Sequence, residues 1–269
     1  MACWQGERFA PLRRASRAWG IGSIHGAAGQ LKDLHERLSE RLQPGDRIVY
    51  LGNYFGAGTE IVETIDELLM FRRMIMALPG GFACDVVFLR GSQEEMWAKL
   101  MQLHLAIDPA QVLEWMLPRG LAATLAAYRQ NPVTALSSAR SGARHLARWL
   151  NELRGAIQTG HPGHLEMLSA LRRAAHTDDG ALLFVHAGLN PDRPLDAQGD
   201  ALWWGGPSFS LSQPYAGFRR VVRGFERSHP GLVLDEFTAT IDGGAGNGGP
   251  LIAACFDQEG ALADRLDAR

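Results

Sequence analysis

Two histidines stand where an apolar run meets a glycine. His25 lies in Gly22-Ser23-Ile24-His25-Gly26, and His186 lies in Leu183-Phe184-Val185-His186-Ala187-Gly188. A third stretch, Val87-Phe88-Leu89-Arg90-Gly91-Ser92-Gln93-Glu94-Glu95-Met96, passes from apolar residues through a glycine into a polar cluster. Imidazole, amide and carboxylate groups delivered in this way can ligate cations, move protons or hold phosphate. The setting suits them, because a buried strand that ends in a loop at its carboxyl end is where open α/β sheets place their sites.

The elements that carry these residues alternate. Arg17 to Gly22 reads as a strand, and Gln30 to Leu42 as a helix with Leu31, Leu34, Leu38 and Leu42 on one face. Arg47 to Gly52 is a second strand, followed by the loop Asn53 to Gly58. Thr59 is the expected N-cap of a helix with Ile61, Ile65, Leu68 and Leu69 on one face, which ends before Pro79-Gly80-Gly81. Asp85 to Gly91 is the third strand. Residues 108–178 read as helices alone, a helical insert beside the sheets, with the last helix over Leu165 to Ala175. Strand character returns at Ala181 to Gly188, Arg219 to Gly224, Leu232 to Asp235, Ala239 to Asp242 and Leu251 to Phe256. The run Gly243 to Gly249 joins the last two and reads as a mobile hairpin connection. Strand–helix alternation argues for α/β layers.

At 269 residues, 46% hydrophobic and 21% charged, the chain reads as one soluble globular unit over 17–269, preceded by a poorly ordered lead-in at 1–16. A net charge of −2 gives no basic field to attract nucleic acid or an anionic membrane. No apolar run approaches the roughly 20 residues of a spanning helix. The arginine-bearing N-terminal stretch lacks the apolar segment of a secretory signal. Cys3, Cys84 and Cys255 form no CxxC pair or zinc spacing, which suits a reducing compartment and makes the cytoplasm the expected location. Cys84 and Cys255 sit in apolar patterns and are expected in the core, as are Met70, Met74 and Met76.

Taken in order, five segments resemble the signature blocks of the PPP family of metallophosphoesterases, which includes bacterial serine/threonine phosphatases and diadenosine tetraphosphatases. The stretch around Arg90 resembles the family's LRGNHEEM. Leu183 to Pro191 is close to LFVHAGLxP, Ala201-Leu202-Trp203-Trp204 resembles LLWIR, and Ile241 to Ala245 resembles IDTGA. The resemblance runs from about Trp19 to Phe256. It implies a calcineurin-like fold, two mixed β-sheets packed face to face between helices.

It also implies a reaction: two divalent metals activate a bridging water for attack on phosphorus. The blocks that supply this chemistry are altered. The first, GDxHG, keeps His25 but has Ser23 for its Asp. The second, GDxxDRG, has Asn53 for the bridging Asp, Gly56 for the supporting Asp and Ala57 for the phosphate-binding Arg. In the third, GNHE, the metal-binding Asn is Ser92 and the proton-donating His is Gln93, while Glu94 is kept. The fourth keeps His186. The fifth, VHGHT, has Phe225 at its metal His. Of six ligand positions, only His25 and His186 match. Two imidazoles with an amide in the bridging place offer no negative charge to hold two dications, and Gln93 cannot exchange a proton near neutrality. Each loss costs roughly 10²–10⁴ in rate where such groups act. Removing clustered carboxylates along with their cations also removes repulsion and desolvation costs.

Three functional readings follow. In the first, the chain is a pseudophosphatase that binds an unidentified protein partner or phosphorylated ligand, with no catalytic residue and no metal cofactor. In the second, His25 and His186 join Glu94 or Glu226 around one metal, manganese or another divalent ion, in a remodelled hydrolase. In the third, a nucleotide or phosphorylated ligand occupies the old pocket against His25, Asn53, Arg90, Gln93, His186 and Arg223. The other histidines singled out (His35, His104, His145, His161, His164 and His176) lie at no ligand spacing, and His161-Pro162-Gly163-His164 reads as a turn. Trp203-Trp204 reads as core and rim packing, or as a docking hot spot if exposed.

Overall fold

In the computed structural model, residues 8–206 and 209–269 are described. The chain opens with β1 (Phe9–Leu12), β2 (Arg17–Ile21), α1 (Ala28–Ser39), β3 (Asp46–Tyr50), α2 (Ile61–Ala77), β4 (Val86–Phe88) and α3 (Ser92–Leu100). A helical segment follows: α4 (Pro109–Met116), α5 (Leu121–Ala127), α6 (Pro132–Arg140), α7 (Ala143–Gly160) and α8 (His164–Ser169). The last part holds β5 (Ala174–Thr177), β6 (Leu182–Val185), the short α9 (Ala201–Trp204), β7 (Arg220–Arg223), β8 (Gly231–Leu234), β9 (Thr238–Asp242), β10 (Leu251–Phe256) and β11 (Leu262–Ala268).

The strands form two mixed sheets, a five-stranded one ordered β11-β10-β2-β3-β4 and a six-stranded one ordered β1-β5-β6-β7-β9-β8. Within the first, β2, β3 and β4 run parallel; within the second, β6, β7 and β9 run parallel. Alternation along these strands builds the layers. Val49, Leu51, Val87, Phe184, Val222 and Ile241 share a core between the sheets. Trp19, Ile21, Ile48, Tyr50 and Phe88 face the other way, into a larger core with the helices. On the outer face of the second sheet, Leu183, Val185 and Val221 pack with Leu202, Trp203 and Tyr215. The helices follow their apolar stripes: α7 buries Leu146, Trp149, Leu150, Leu153 and Ile157. Asp108 and Asn131 cap α4 and α6 by accepting from Gln111 N and Val133 N, each helix with a proline in its first turn.

Several expectations change. Residues 1–7 of the expected lead-in lie outside the described residues, as does Cys3, but Phe9–Leu12 is a strand paired in parallel with β5. Pro11 fits there because β1 is an edge strand. The helical insert ends before β5, where Ala174 and Ala175 are buried in two different cores. The helix over α2 starts at Ile61 with Glu60, not Thr59, as its N-cap residue. The glycine run is no hairpin, since it crosses from β9 in one sheet to β10 in the other. Cys84 is exposed on a short 3-10 turn, while Cys255 is buried. Met70, Met74 and Met76 are also exposed, because α2 buries the stripe Ile61, Ile65, Leu68, Phe71 and Ile75 instead. No helix among the described residues is long and apolar enough to cross a membrane.

Candidate functional site

The two parallel trios end at one place. Ser23 N and Ser23 Oγ both donate to Gly224 O, Gly224 N and Phe225 N donate to His186 O, and His25 N donates to Asn53 O. These bonds join the loops after β2, β3, β6 and β7, so Ser23, His25, Asn53, His186 and Phe225 converge as the resemblance implies. Gly246 of the glycine run closes over His25, leaving its missing Cβ only 2.6 Å from the His25 Cβ.

The two retained imidazoles are locked. His25 Nδ1 lies 3.1 Å from Phe55 O and His186 Nδ1 lies 2.6 Å from Leu51 O. A carbonyl only accepts, so both rings carry their proton on Nδ1 and present Nε2 as an acceptor. Burial pushes His25 down to about 4 and His186 to about 3, against the opposing pull of their carbonyl partners. Both are neutral at pH 7.

Asn53 lies against His25. Its Nδ2 donates to His25 Nε2 at 3.3 Å, and its Oδ1 accepts from Ser92 Oγ at 3.0 Å and Gln93 N at 3.1 Å. The amide thus spends one donor and its acceptor on protein groups. Gln93 Nε2 donates to Arg119 O, which ties the site to the helical segment above it. Phe225 occupies the space of the last expected ligand: its ring stacks on His186 at 5.4 Å and meets His25 edge-on at 6.1 Å.

A third imidazole completes the ring around Phe225. His229 lies 6.1 Å from it, and its Nδ1 donates to Asp242 Oδ2 at 3.0 Å. Asp242 is buried and also accepts from Glu226 N and Gly244 N. His229 escaped the sequence reading because its partner lies 13 residues away, in another strand. Six non-glycine residues have positive φ among the described residues, and three of them, His25 (52°), Asn53 (57°) and His229 (48°), meet here. Such backbone costs about 1–3 kcal/mol per residue and gathers at functional sites.

The implied pair of divalent metals does not fit these residues. Two cations need a bridging carboxylate, and the bridging place holds an amide already hydrogen-bonded on both sides. Among the described residues, no group of three or more His, Cys, Asp or Glu could hold a metal ion. Glu94 is not available to a single metal either: it is buried and takes Asn53 N, Tyr54 N, Phe55 N and Gly91 N at 2.8–3.3 Å. Glu226 bonds Ser228 Oγ and faces Arg223. His186 Nε2 remains as a buried acceptor with no partner among the described residues. One imidazole does not hold a divalent ion.

The expected phosphate contacts are dispersed as well. Arg90 pairs with Glu95 at 3.2 Å. Arg223 donates from Nε to Thr240 Oγ1 and lies over the Phe209 ring. Ala57 is exposed. Gly56 has φ 127°, and a Cβ there would stand 2.5 Å from His25 Nδ1, so the loop no longer accepts the family's Asp at that position. Of the Trp pair, Trp203 is core, and Trp204 is half-buried against Trp115 at 6.2 Å. His161-Pro162-Gly163 is a turn, but His164 is buried at the start of α8, bonded to Tyr128 and Asp66.

No protein-family model and no curated protein matches the sequence. Solved structures do match. One, assigned as a diadenosine tetraphosphatase, is 18% identical, with 98% of this chain and 99% of that chain covered at a TM-score of 0.54. A Saccharomyces cerevisiae protein serine/threonine phosphatase is 11% identical over 98% and 85% of the two chains, at 0.55. A point mutant of a cold-active protein tyrosine phosphatase is 12% identical over 98% and 83%, at 0.52. At such identities the likeness speaks for architecture, and it spans nearly the whole chain. The protein has the fold of the PPP-family metallophosphoesterases.

Proposed function

We propose that the chain is a catalytically degenerate member of the serine/threonine-phosphatase-like metallophosphoesterases: a pseudophosphatase of the cytoplasm that binds a partner and does not hydrolyse phosphoesters. The observation that carries this reading is the Asn53 side chain. It occupies the bridging place and joins His25 Nε2 to Ser92 and the backbone of Gln93 in a neutral hydrogen-bond network. Around it, both imidazoles are uncharged, the proton donor is an amide held by Arg119 O, and Phe225 supplies apolar bulk. Among the described residues of this site, His186 Nε2 is the one buried side-chain polar atom without a partner, which suits a site adapted to stand without cations. The partner is a protein or a phosphorylated ligand.

The test is elemental analysis of the purified protein after incubation with manganese and dialysis, followed by a phosphoesterase screen. Substoichiometric metal and no manganese-dependent hydrolysis are expected. One or two bound equivalents, with hydrolysis that disappears in His186→Ala, would overturn the proposal in favour of a remodelled hydrolase built on the unpartnered His186 Nε2.

A further inference from the structure

The edges of the two sheets meet at a seam. The edge strand β4 continues into Leu89, which bridges Arg172 in parallel, and Arg90 N donates to Arg172 O at 2.7 Å. One residue on, Arg173 N donates to Arg8 O at 2.8 Å, at the head of the edge strand β1. Backbone pairing therefore brings Arg8, Arg90 and Arg173 together from three distant parts of the sequence. The carboxylate that faces them is Glu95, which pairs with Arg90 at 3.2 Å and is shared with Lys99 at 3.8 Å. Among the described residues, Arg173 forms no ion pair. Its guanidinium lies 5.2 Å from the centre of the Trp203 ring. Burial, and then the charges of Arg8 and Arg90, hold it below its ordinary pKa despite Glu95.

Like charges gathered at a seam cost stability, and a chain of net charge −2 has no shortage of acidic residues to neutralise them. The indole N–H of Trp203, 5% exposed, is also a buried donor without an acceptor among the described residues. Two arginines without a carboxylate partner among the described residues, beside a third that shares Glu95 with Lys99, together ask for one acceptor-rich anion. Arg8 is exposed and the Arg90 side chain is 28% exposed, so solvent reaches the seam.

We propose that the seam of Arg8, Arg90 and Arg173 is an anion-binding site that takes a phosphoryl dianion, offered either as free phosphate or on a phosphorylated peptide. Guanidinium forks match phosphate oxygens in pairs, and arginine clusters are the usual readers of phosphorylated segments. The inference does not depend on whether the old pocket hydrolyses anything, since among the described residues none of the three arginines bonds His25, Asn53 or His186.

Calorimetric titration of the full chain tests it with three probes: orthophosphate, a phosphoserine peptide and its unphosphorylated twin. Binding of orthophosphate or of the phosphopeptide, with none of the twin, is expected; which of the two binds more tightly identifies the source. Arg173→Gln and Arg8→Gln each weaken binding about tenfold, while Arg144→Gln, at the exposed start of α7, leaves it unchanged. Arg8→Gln, at an exposed position, stays informative if Arg173→Gln fails to fold. It also raises the thermal midpoint in phosphate-free buffer, because one repulsive charge is gone. No binding of either phosphorylated probe, equal binding of the unphosphorylated twin, or affinity unaltered by both seam variants overturns the proposal.

Discussion

Acidification should unfold this protein from its site outward. His25 and His186 are held neutral in the fold, at about 4 and about 3, by burial. In the unfolded chain each titrates near 6.5. The folded values are lower, so below pH 6.5 the unfolded state binds more protons. The stability these residues contribute is complete above that pH and is lost as pH falls toward 4 and 3. At pH 5 each has lost about 1.5 units' worth, roughly 2 kcal/mol, or about 4 kcal/mol for the pair. His35 and His164, also lowered by burial, act in the same direction. Glu94 and Asp242 are raised by burial and act in the opposite one, because their folded forms take up protons first as the pH drops. The share of His186 is isolated by comparison with His186→Asn, whose amide nitrogen can keep the donation to Leu51 O while removing the titrating group. Urea unfolding at pH 7, 6 and 5 is the assay. The loss from pH 7 to 5 should be about 2 kcal/mol smaller in His186→Asn than in the parent protein. Equal losses in the two proteins would refute the reasoning, since they would mean that His186 is solvated or charged in the fold.

Three further outcomes follow from individual contacts. Glu94→Gln turns an NH₂ group toward two of the four backbone N–H groups now bound by the carboxylate, and is expected to cost about 3 kcal/mol by chemical denaturation. Asp46→Ala strips the partner from Arg17 and from the indole N–H of buried Trp19, at about 3–5 kcal/mol in the same assay. Gly56→Asp meets both a φ of 127° and the His25 ring, so it should lower the thermal midpoint at a cost of about 1–3 kcal/mol in backbone strain alone. It should restore no metal affinity in the same preparation.

Strands such as β6, which leads to His186, and β10 were legible because their apolar runs are buried at every position, so composition alone marks them. Edge strands lack that signature. Phe9–Leu12 contains a proline, and Leu262–Ala268 is buried at only two of its seven positions and carries three charged residues; both depend on a partner that sequence spacing does not reveal. Met70 and Met74 misled for the converse reason, since α2 is apolar on more than one face and only packing shows which stripe is buried. At the site, the loops that carry the local motifs place Ser23, His25, Asn53 and His186 near one another. The motifs gave no hint that Arg90 would turn to Glu95, five residues on, or that His229 and Asp242 would form a pair. Strand ends are local in sequence, whereas ion pairs are chosen by tertiary geometry.

That distinction also explains which family letters survive. His25 Nδ1 donates to Phe55 O and His186 Nδ1 to Leu51 O, so each ring pins a loop whether or not its Nε2 has a ligand. Glu94 gathers four backbone N–H groups from the loops after β3 and β4, and Asp242 gathers Glu226 N and Gly244 N. All four residues retain a backbone partner that would be left buried and unsatisfied by their removal, at about 1–3 kcal/mol per group. The altered letters lie elsewhere: Ser23, Asn53, Ser92 and Phe225 stand where the family's side chains face cations. Without the cations, a carboxylate there is a buried unpaired charge, and an amide, a hydroxyl or a phenyl ring is the more stable choice. On the pseudophosphatase reading proposed above, the fold outlasts the chemistry in a physically ordered way: residues that tie backbone match the family's letters, positions that face metal in the family hold neutral groups, and the left-handed turns at His25 and Asn53 are held by the backbone bonds around them.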